Sequence, residues 1–250
     1  MDRPLKWYRS LAGVGERQAE GAFLVEGPRA VTQILDTAPE QVLEIVVASG
    51  VAAPGAVRCP VRTLSPPQFN SIASSKTPQG LMAVVRVPPD AGSGELPGGA
   101  AGDVLVCETV QDPGNVGALI RSAAAFGFSG VVLSPECADP FGPKAVQASA
   151  GTLLSLWIRR TAGFCDMVTA LRGQGYRVAA ADVRAKPCDT WAGPGPTVLL
   201  LGSEASGLSP QLLACADVSF AIPISTGRVE SLNVAAAGAI AMYLLARRRT

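Results

Sequence analysis

The chain has 250 residues, of which 48% are hydrophobic and 16% charged, so it can build a packed core, and this composition argues against intrinsic disorder. Its 21 Lys and Arg residues balance 20 Asp and Glu residues, so no global basic field indicates a nucleic-acid partner. The absence of histidine excludes a His-based catalytic triad, a His general base and every His-containing metal site.

The cysteine pattern and the apolar stretches restrict further which class of protein the chain can belong to. The six cysteines include no CxxC pair, so we predict no metal centre and expect reduced, structural thiols. The N-terminal residues MDRPLKWYRSLAG contain no apolar signal core, and the apolar stretch at 234–246 is too short to span a bilayer. We therefore expect a soluble, cytoplasmic protein without a membrane or metal partner.

Residues 1–87 predict a small α/β unit. Apolar runs predict strands at 23–25, 43–48 and 79–87, and helical spacing predicts a helix at 27–35. The same unit contains no acidic residue between Glu44 and Asp90. The cations in that stretch form either a local RNA-facing patch or an ordinary solvated face, and the sequence leaves both interpretations open. These cations are Arg58, Arg62, Lys76 and Arg86.

Residues 88–102 read PPDAGSGELPGGAAG, and eight of these fifteen residues are Pro or Gly. Such a composition forms neither a helix nor an interior strand. We therefore predict a first domain at 1–87, a linker at 88–102 and a second domain at 103–250.

The second domain alternates apolar strands with helices. This order is typical of βαβ units, so we predict a parallel sheet covered by helices on both faces. The predicted strands are 104–107, 131–133, 153–158, 176–181, 197–201 and 218–222, and the predicted helices are 116–126, 144–149, 164–174, 209–215 and 231–247.

The first of three unusual loops is QDPGNVG at 111–117. Asp-Pro-Gly is a turn sequence, and Asn115 is a candidate N-cap of the helix that follows. Arg121, on that helix, is either an ordinary surface charge or a donor that points back towards the loop to hold a phosphate or hydroxyl.

The second loop, LGSEASGLS at 201–209, follows the most apolar strand. In open parallel sheets, ligands bind at the carboxyl ends of the strands, and Gly202 and Gly207 would allow close approach of the backbone. The chain has neither a Walker loop nor a GxGxxG fingerprint, so this loop does not match the common nucleotide-binding motifs.

The third loop, 222–233, opens the last predicted helix. Ser231 and Asn233 are poor residues for a helix interior. Either of them caps the helix, or the loop folds over a ligand and one of them contacts a substrate.

Taken together, three segments resemble the three motifs of the SpoU-type RNA 2'-O-ribose methyltransferases of the SPOUT superfamily. They are NVGALIRSAAAFG, LLGSEASGLSP and IPISTGRVESLNVAAAGAIAMY. The intervening LSPECADPFGPKAVQASAGTL fits the same pattern. In the first domain, FLVEGPRAVTQIL and SSKTPQGLMAVV resemble the small RNA-substrate-binding domain, related to a ribosomal protein, that precedes many of these enzymes.

Two features depart from the family pattern. Gln147 stands where the family usually has Arg, which puts one RNA contact in question. The third loop is a residue longer than in many members, around 225–229, so we expect its cofactor contacts to be slightly displaced.

The resemblance implies a fold, a cofactor and an assembly. It implies an α/β domain whose C-terminal segment threads a loop to form a trefoil knot, a homodimer, and S-adenosylmethionine as cofactor. The implied cofactor-binding residues are Leu201, Gly202, Gly207, Ile222, Ile224, Ser231 and Leu232. The implied catalytic residues are Asn115, Arg121, Glu204, Ser231 and Asn233.

The implied reaction is attack of a ribose 2'-hydroxyl on the methyl group of the cofactor. An arginine stays protonated, so we assign Arg121 the role of an orienting donor, and Glu204 or a phosphate oxygen the role of proton acceptor. The separate first domain favours a large structured RNA, so rRNA (23S) is expected over tRNA. The alternatives are a tRNA ribose methyltransferase, an inactive RNA-binding assembly factor, and an unrelated α/β enzyme that uses a nucleotide or coenzyme A.

Overall fold

The computed structural model of the chain describes residues 3–55, 57–99, 101–186, 194–225 and 230–247. Within these ranges the chain forms a four-stranded sheet followed by a six-stranded sheet, with helices between the strands. This confirms the predicted α/β class.

The small sheet has the strand order β1-β4-β2-β3. Strand β4 is antiparallel to both of its neighbours, whereas β2 and β3 are parallel. The strands are β1 (Ala22–Glu26), β2 (Val42–Ala48), β3 (Val61–Leu64) and β4 (Leu81–Arg86), and the helices are α1 (Leu5–Ser10), α2 (Val14–Glu20), α3 (Pro28–Thr37) and α4 (Pro66–Ile72).

The large sheet has the order β10-β8-β9-β5-β6-β7, and every pair of neighbours is parallel, as predicted. Its strands are β5 (Val104–Cys107), β6 (Gly130–Leu133), β7 (Trp157–Arg160), β8 (Arg177–Ala181), β9 (Thr197–Leu201) and β10 (Val218–Phe220). Its helices are α5 (Pro113–Ala125), α6 (Pro143–Ser149), α7 (Phe164–Gly173), α8 (Pro210–Cys215) and α9 (Val234–Ala246). Strands β5 and β9 are buried along their whole length at the centre, which is why both are apolar apart from Thr197 at the start of β9.

Three predicted boundaries in this part of the chain are wrong. The predicted strand at 153–158 is instead a 3-10 turn at Thr152–Leu154 followed by β7. Helix α5 begins at Pro113 because the side chain of Asp112 caps it, so Asn115 is not the N-cap. Helix α9 begins at Val234, since Asn233 caps it.

The Pro/Gly-rich segment 88–102 contains no helix or strand in its described residues, which exclude Ala100. It is nevertheless packed on the large sheet. The side chain of Arg159 on β7 is 2% exposed, pairs with the carboxylate of Asp90 and donates a hydrogen bond to the carbonyl of Glu95 at 3.2 Å. The segment is therefore held at its centre by a buried cation.

The small sheet docks on the large one through a continuous core. Phe23 of β1 and Phe141, which precedes α6, belong to one buried cluster, with ring centroids 5.2 Å apart. Next to them, Arg17 is 3% exposed and pairs with the carboxylate of Asp139. Because the two sheets share this core, the division into domains 1–87 and 103–250 stays a prediction.

The trefoil knot also stays a prediction, because the third loop includes residues 226–229, which lie outside the described residues. The extra residue predicted at 225–229 falls mostly in the same stretch. Among the helices that the structure describes, none is long and apolar enough to cross a bilayer.

Candidate active site

A cavity of about 310 Å³ lies at the carboxyl ends of β8, β9 and β10. Its wall is made of the loop after β9, the turn after β8 and described residues of the third loop on either side of 226–229. All seven residues predicted to bind the cofactor line it, namely Leu201, Gly202, Gly207, Ile222, Ile224, Ser231 and Leu232. The cavity lies on the β8–β10 side of the point where the strand order reverses between β5 and β9, the place where parallel sheets bind ligands.

The loop after β9 is folded tightly on itself. The amide of Gly207, which has φ +67°, donates to the carbonyl of Ser203 at 2.9 Å. A Cβ atom on Gly202 would lie 2.1 Å from the backbone carbonyl carbon of Gly207, so no other residue fits there without moving the loop. Gly202 is thus required by the loop itself, whereas the sequence indicated only room for a ligand.

Three polar side chains from three separate loops meet beside this cavity. The amide nitrogen of Asn115 donates to Oε1 of Glu204 at 2.8 Å. The amide nitrogen of Asn233 donates to Oδ1 of Asn115 at 3.0 Å and to Oε1 of Glu204 at 3.4 Å. Residues 115, 204 and 233, predicted from three distant motifs, therefore form one hydrogen-bonded cluster, which we call the NEN cluster.

The ends of two helices position the NEN cluster. Asn115 lies in the first turn of α5, and Asn233 is the N-cap of α9, where its Oδ1 accepts from the amides of Ala235 and Ala236 at 3.0 and 3.3 Å. The amide of Val234 adds a contact to Oε1 of Glu204 at 3.4 Å. Helix α9 therefore presents its first amide to a carboxylate, which lies at the helix end that the dipole makes favourable for negative charge.

The two oxygens of Glu204 have different surroundings. Oε1 accepts the contacts from Asn115, Asn233 and Val234. Oε2 has no hydrogen-bond partner among the residues that the structure describes. The side chain is exposed, so Oε2 is free to accept a proton or a hydrogen bond from a molecule in the cavity.

The remaining two predicted catalytic residues are placed differently. Ser231 lines the cavity but does not cap α9. Arg121 is exposed, lies outside the cavity lining, and has no hydrogen bond or ion pair within the described ranges. It follows Asn115 by six residues, which is about 120° around the helix axis and about 9 Å along it. It shares a face of α5 with Gly117, which packs against α6, so the structure does not bring Arg121 to the NEN cluster.

Sequence reasoning missed one charged pair at the cavity. Asp182 and Arg184 follow β8 and line the cavity wall. Nε of Arg184 donates to Oδ1 of Asp182 at 3.0 Å, and this hydrogen bond lowers the pKa of the Asp182 carboxyl. The signal was available, because these are charged residues directly after an apolar strand at the ligand-binding edge of the sheet.

The cysteines near the site are structural. Sγ of Cys137 lies 3.3 Å from both the amide of Val110 and the carbonyl of Cys107. Burial raises the pKa of both thiols, so neither is a reactive thiolate. No group of three or more Cys, Asp or Glu side chains in the described part of the chain could hold a metal ion.

The acid-free stretch of the small sheet does not form one basic surface. Arg62 donates to the hydroxyl of Tyr8 at 3.0 Å and to the carbonyl of Arg3, so it is bound within the fold. Arg58 precedes β3, whereas Lys76 lies near the start of β4, which the strand register places at the opposite end of the sheet. The single-patch interpretation therefore lacks a contiguous set of cations.

Comparison with known proteins gives a family and a close relative of full length. Residues 103–243 match the SpoU rRNA Methylase family. The 23S rRNA (guanosine(2553)-2'-O)-methyltransferase RlmP of Bacillus subtilis (strain 168) is 30% identical over 247 residues, which cover 98% of this chain and 96% of that protein.

Two solved structures share the fold over nearly the whole chain. The SpoU methyltransferase AviRb from Streptomyces viridochromogenes, in complex with the cofactor AdoMet, has a TM-score of 0.85 at 26% identity and covers 100% of this chain and 98% of its own. The AdoMet-bound rRNA methyltransferase from Sinorhizobium meliloti has a TM-score of 0.83 at 26% identity and covers 98% and 94%.

Proposed function

The chain belongs to the SpoU rRNA methylase family, and from that premise we propose that it methylates one ribose 2'-hydroxyl of 23S rRNA. It is an RNA 2'-O-methyltransferase, and its cofactor is S-adenosylmethionine. The observation that carries the proposal for its site is the NEN cluster, a carboxylate with one free oxygen held beside a cavity at the ligand-binding edge of the sheet.

The cavity fits this cofactor in size and chemistry. About 310 Å³ is within the range of small-molecule sites, and the lining combines apolar side chains with exposed backbone at Gly202 and Gly207. We assign Ile222 and Leu232 to the contacts with the adenine and methionine parts, and the Asp182 carboxylate to a hydroxyl or ammonium group. When bound, the cofactor supplies a methyl carbon attached to a positively charged sulfur.

Glu204 acts as the proton acceptor in this proposal. Its Oε1 is held by Asn115, Asn233 and the Val234 amide, so the side chain keeps one orientation. Its Oε2 is available to take the proton from the ribose hydroxyl as that oxygen attacks. A positioned carboxylate base contributes about 10²–10⁴-fold to such a step.

Arg121 and Ser231 act on the substrate rather than on Glu204. The Arg121 guanidinium keeps its charge and presents a planar fork, so it orients a phosphate of the RNA and does not accept a proton. Ser231 lies in the cavity wall, where its hydroxyl can bind the ribose or the cofactor.

Ribosomal RNA is favoured as the substrate because a relative that acts on 23S rRNA aligns with nearly the whole chain. The Bacillus subtilis relative, whose name gives 23S rRNA as its substrate, aligns with both the small and the large sheet. We assign the small sheet to RNA binding and the reaction to the cytoplasm, where the ribosome is assembled.

We also propose that the protein is a homodimer that buries one face of α9. On that face Ile240 is 39% exposed and Tyr243 is 49% exposed, and Ala236 stands one turn before Ile240. Residues four and three apart lie on the same side of a helix, so they form one apolar stripe open to water. A two-fold contact with a second copy would cover it.

A comparison of ribose methylation with and without the gene tests the substrate. Mapping of 2'-O-methyl groups in all rRNAs and tRNAs should show one 23S rRNA position that is lost in the deletion strain and restored by the wild-type gene. If methylation is lost only in tRNA, the substrate is tRNA and not 23S rRNA. Unchanged methylation in every RNA would support the inactive assembly factor.

A further inference from the structure

A second groove separates the small sheet from α6. It encloses about 490 Å³, and its lining includes Ser74 on the small-sheet side, Lys144 and Gln147 on α6, and Pro113 at the start of α5. Pro113 stands two residues before Asn115, so this groove begins next to the NEN cluster. It is separate from the cofactor cavity, since none of the described residues lines both.

The small-sheet wall of the groove is a fixed turn. The carboxylate of Glu26 at the end of β1 accepts hydrogen bonds from the amide and hydroxyl of Ser74, both at 2.9 Å, and from the amide of Ser75 at 3.2 Å. The hydroxyl of Ser75 donates to the other oxygen of the same carboxylate. The carboxylate of Glu26 is thus occupied by hydrogen bonds within the fold. These bonds hold the turn in one position against α6.

The groove offers one free cation and one free amide. Lys144 and Gln147 are exposed and three residues apart, so they project from the same side of α6. Neither side chain has a hydrogen bond or ion pair with any residue in the described ranges. The carboxylate in the lining, Asp139, is neutralised by Arg17 and accepts from the amide of Phe141 at 2.9 Å. The net character of the groove is therefore cationic.

We propose that this groove binds the nucleotide adjacent to the methylated ribose, with Lys144 on its phosphate and Gln147 on the edge of its base. This inference rests on the proposed function, because the ribose at Glu204 fixes where the chain of the RNA enters. An ammonium group is a point charge suited to a phosphate, whereas a glutamine amide both donates and accepts and so distinguishes one base edge from another. Unstacked bases of RNA loops are read in this way.

The test for Lys144 separates RNA binding from the other steps. Methyl transfer to in-vitro-transcribed 23S rRNA is measured for Lys144→Ala and for Arg172→Ala, an exposed cation on α7, outside the small-sheet unit that we assign to RNA binding. Lys144→Ala should raise the KM for RNA about fivefold at 0.1 M salt and reduce the salt slope of RNA affinity by about 0.7, the share of one phosphate. Its kcat and its calorimetric affinity for S-adenosylmethionine should equal those of the wild type, as should every parameter of Arg172→Ala.

The test for Gln147 uses a panel of short RNAs that carry the mapped methylation site. Each RNA has a different base on the 5' or 3' side of the methylated nucleotide. The wild type and Gln174→Ala, a control at the C-cap of α7, should prefer one base on one side by about fivefold or more. Gln147→Ala should lose this preference while its kcat for the best RNA is kept.

The failures can be told apart. A wild-type protein that methylates no RNA overturns the proposed function and this inference with it. A wild type that is active, with variants of Lys144 and Gln147 that match it in KM, salt slope and base preference, overturns the groove assignment alone.

Discussion

At the scale of single residues, the two oxygens of Glu204 have different roles. One holds the side chain in place, and we assign the other to accept the proton. Oε1 accepts from two asparagine side chains and a backbone amide, and Oε2 has no partner in the described part of the chain. A glutamine in this place keeps an oxygen for the asparagines but offers no basic oxygen. Glu204 can therefore be tested by a change that preserves its shape.

We expect Glu204→Gln to lose methyl transfer by about 10²–10⁴-fold, the contribution of a general base. The melting temperature and the affinity for S-adenosylmethionine should be unchanged. Transfer of a labelled methyl group to rRNA measures the first and calorimetry the second, with the exposed Glu40→Gln as control. A variant within threefold of the wild type would remove Glu204 from the mechanism.

Substitutions of Arg121 test whether methyl transfer needs the forked geometry of the guanidinium or only its positive charge. A forked guanidinium binds two phosphate oxygens at once, and an ammonium does not, so both Arg121→Ala and Arg121→Lys should lose methyl transfer by roughly a hundredfold or more. Cofactor affinity should survive in both, because Arg121 lies outside the cavity lining. Full activity in both variants would identify Arg121 as an ordinary surface charge, which its exposed position on α5 also allows.

At this scale the motifs identified residues that the fold brings together, but not the contacts among them. The motifs identified Asn115, Glu204 and Asn233, yet the hydrogen bonds among them depend on how three distant loops meet in space. The role of Gly202 changed for the same reason, since the atoms that exclude a Cβ belong to Gly207, five residues away, and to the residue after it.

At the scale of elements, Asn233 serves both the start of α9 and the NEN cluster. Asn233→Ala should destabilise the protein by about 1 kcal/mol because it removes an N-cap, and should also lose activity. Asn233→Asp keeps a capping oxygen but replaces the amide donor by a carboxylate next to Glu204. It should keep a near-normal melting temperature and still lose methyl transfer by roughly a hundredfold. An active Asp variant would limit Asn233 to capping.

The loop after β9 gives the second prediction at this scale. The Cβ of Gly202→Ala would lie 2.1 Å from the backbone of Gly207, so the loop must move. We expect a loss of about 1–3 kcal/mol in unfolding free energy and of at least tenfold in cofactor affinity. The matched control is Gly173→Ala, where a Cβ meets nothing within 4 Å. Normal cofactor affinity in Gly202→Ala would place the cofactor elsewhere.

Most elements with a strong apolar pattern were predictable, whereas several short elements of the small-sheet unit were missed. The central strands β5 and β9 are apolar except for Thr197 and were predicted with correct bounds. Strand β3 was missed because it is an edge strand of four residues, with Val61 44% exposed. Helices α1, α2 and α4 have only six or seven residues, too few for a helical period to stand out.

At the scale of the whole molecule, the exposed apolar stripe on α9 predicts that a second copy of the chain packs against it. Light scattering should give twice the mass of one chain at micromolar concentration. Ile240→Glu should give a monomer, because it places a charge in the centre of the stripe, and Val14→Glu, at another exposed apolar position on α2, should not. A monomeric wild type would contradict the dimer.

The order of the strands in the large sheet could not be predicted from the sequence. Alternating strands and helices predicted a parallel sheet, but β9 lies beside β5, about ninety residues earlier in the chain, and no local pattern encodes that pairing. The docking of the small sheet through Arg17 and Asp139 is likewise a long-range contact, and it creates the groove at α6.

The most direct test of the central claim is methyl transfer by the purified protein to unmodified 23S rRNA, followed by alkaline hydrolysis. A 2'-O-methyl group removes the hydroxyl that attacks the neighbouring phosphodiester, so the methylated position resists cleavage. The account predicts one labelled, alkali-resistant position with the wild type and none with Glu204→Gln. A label on a base, with every bond still cleaved by alkali, would contradict it.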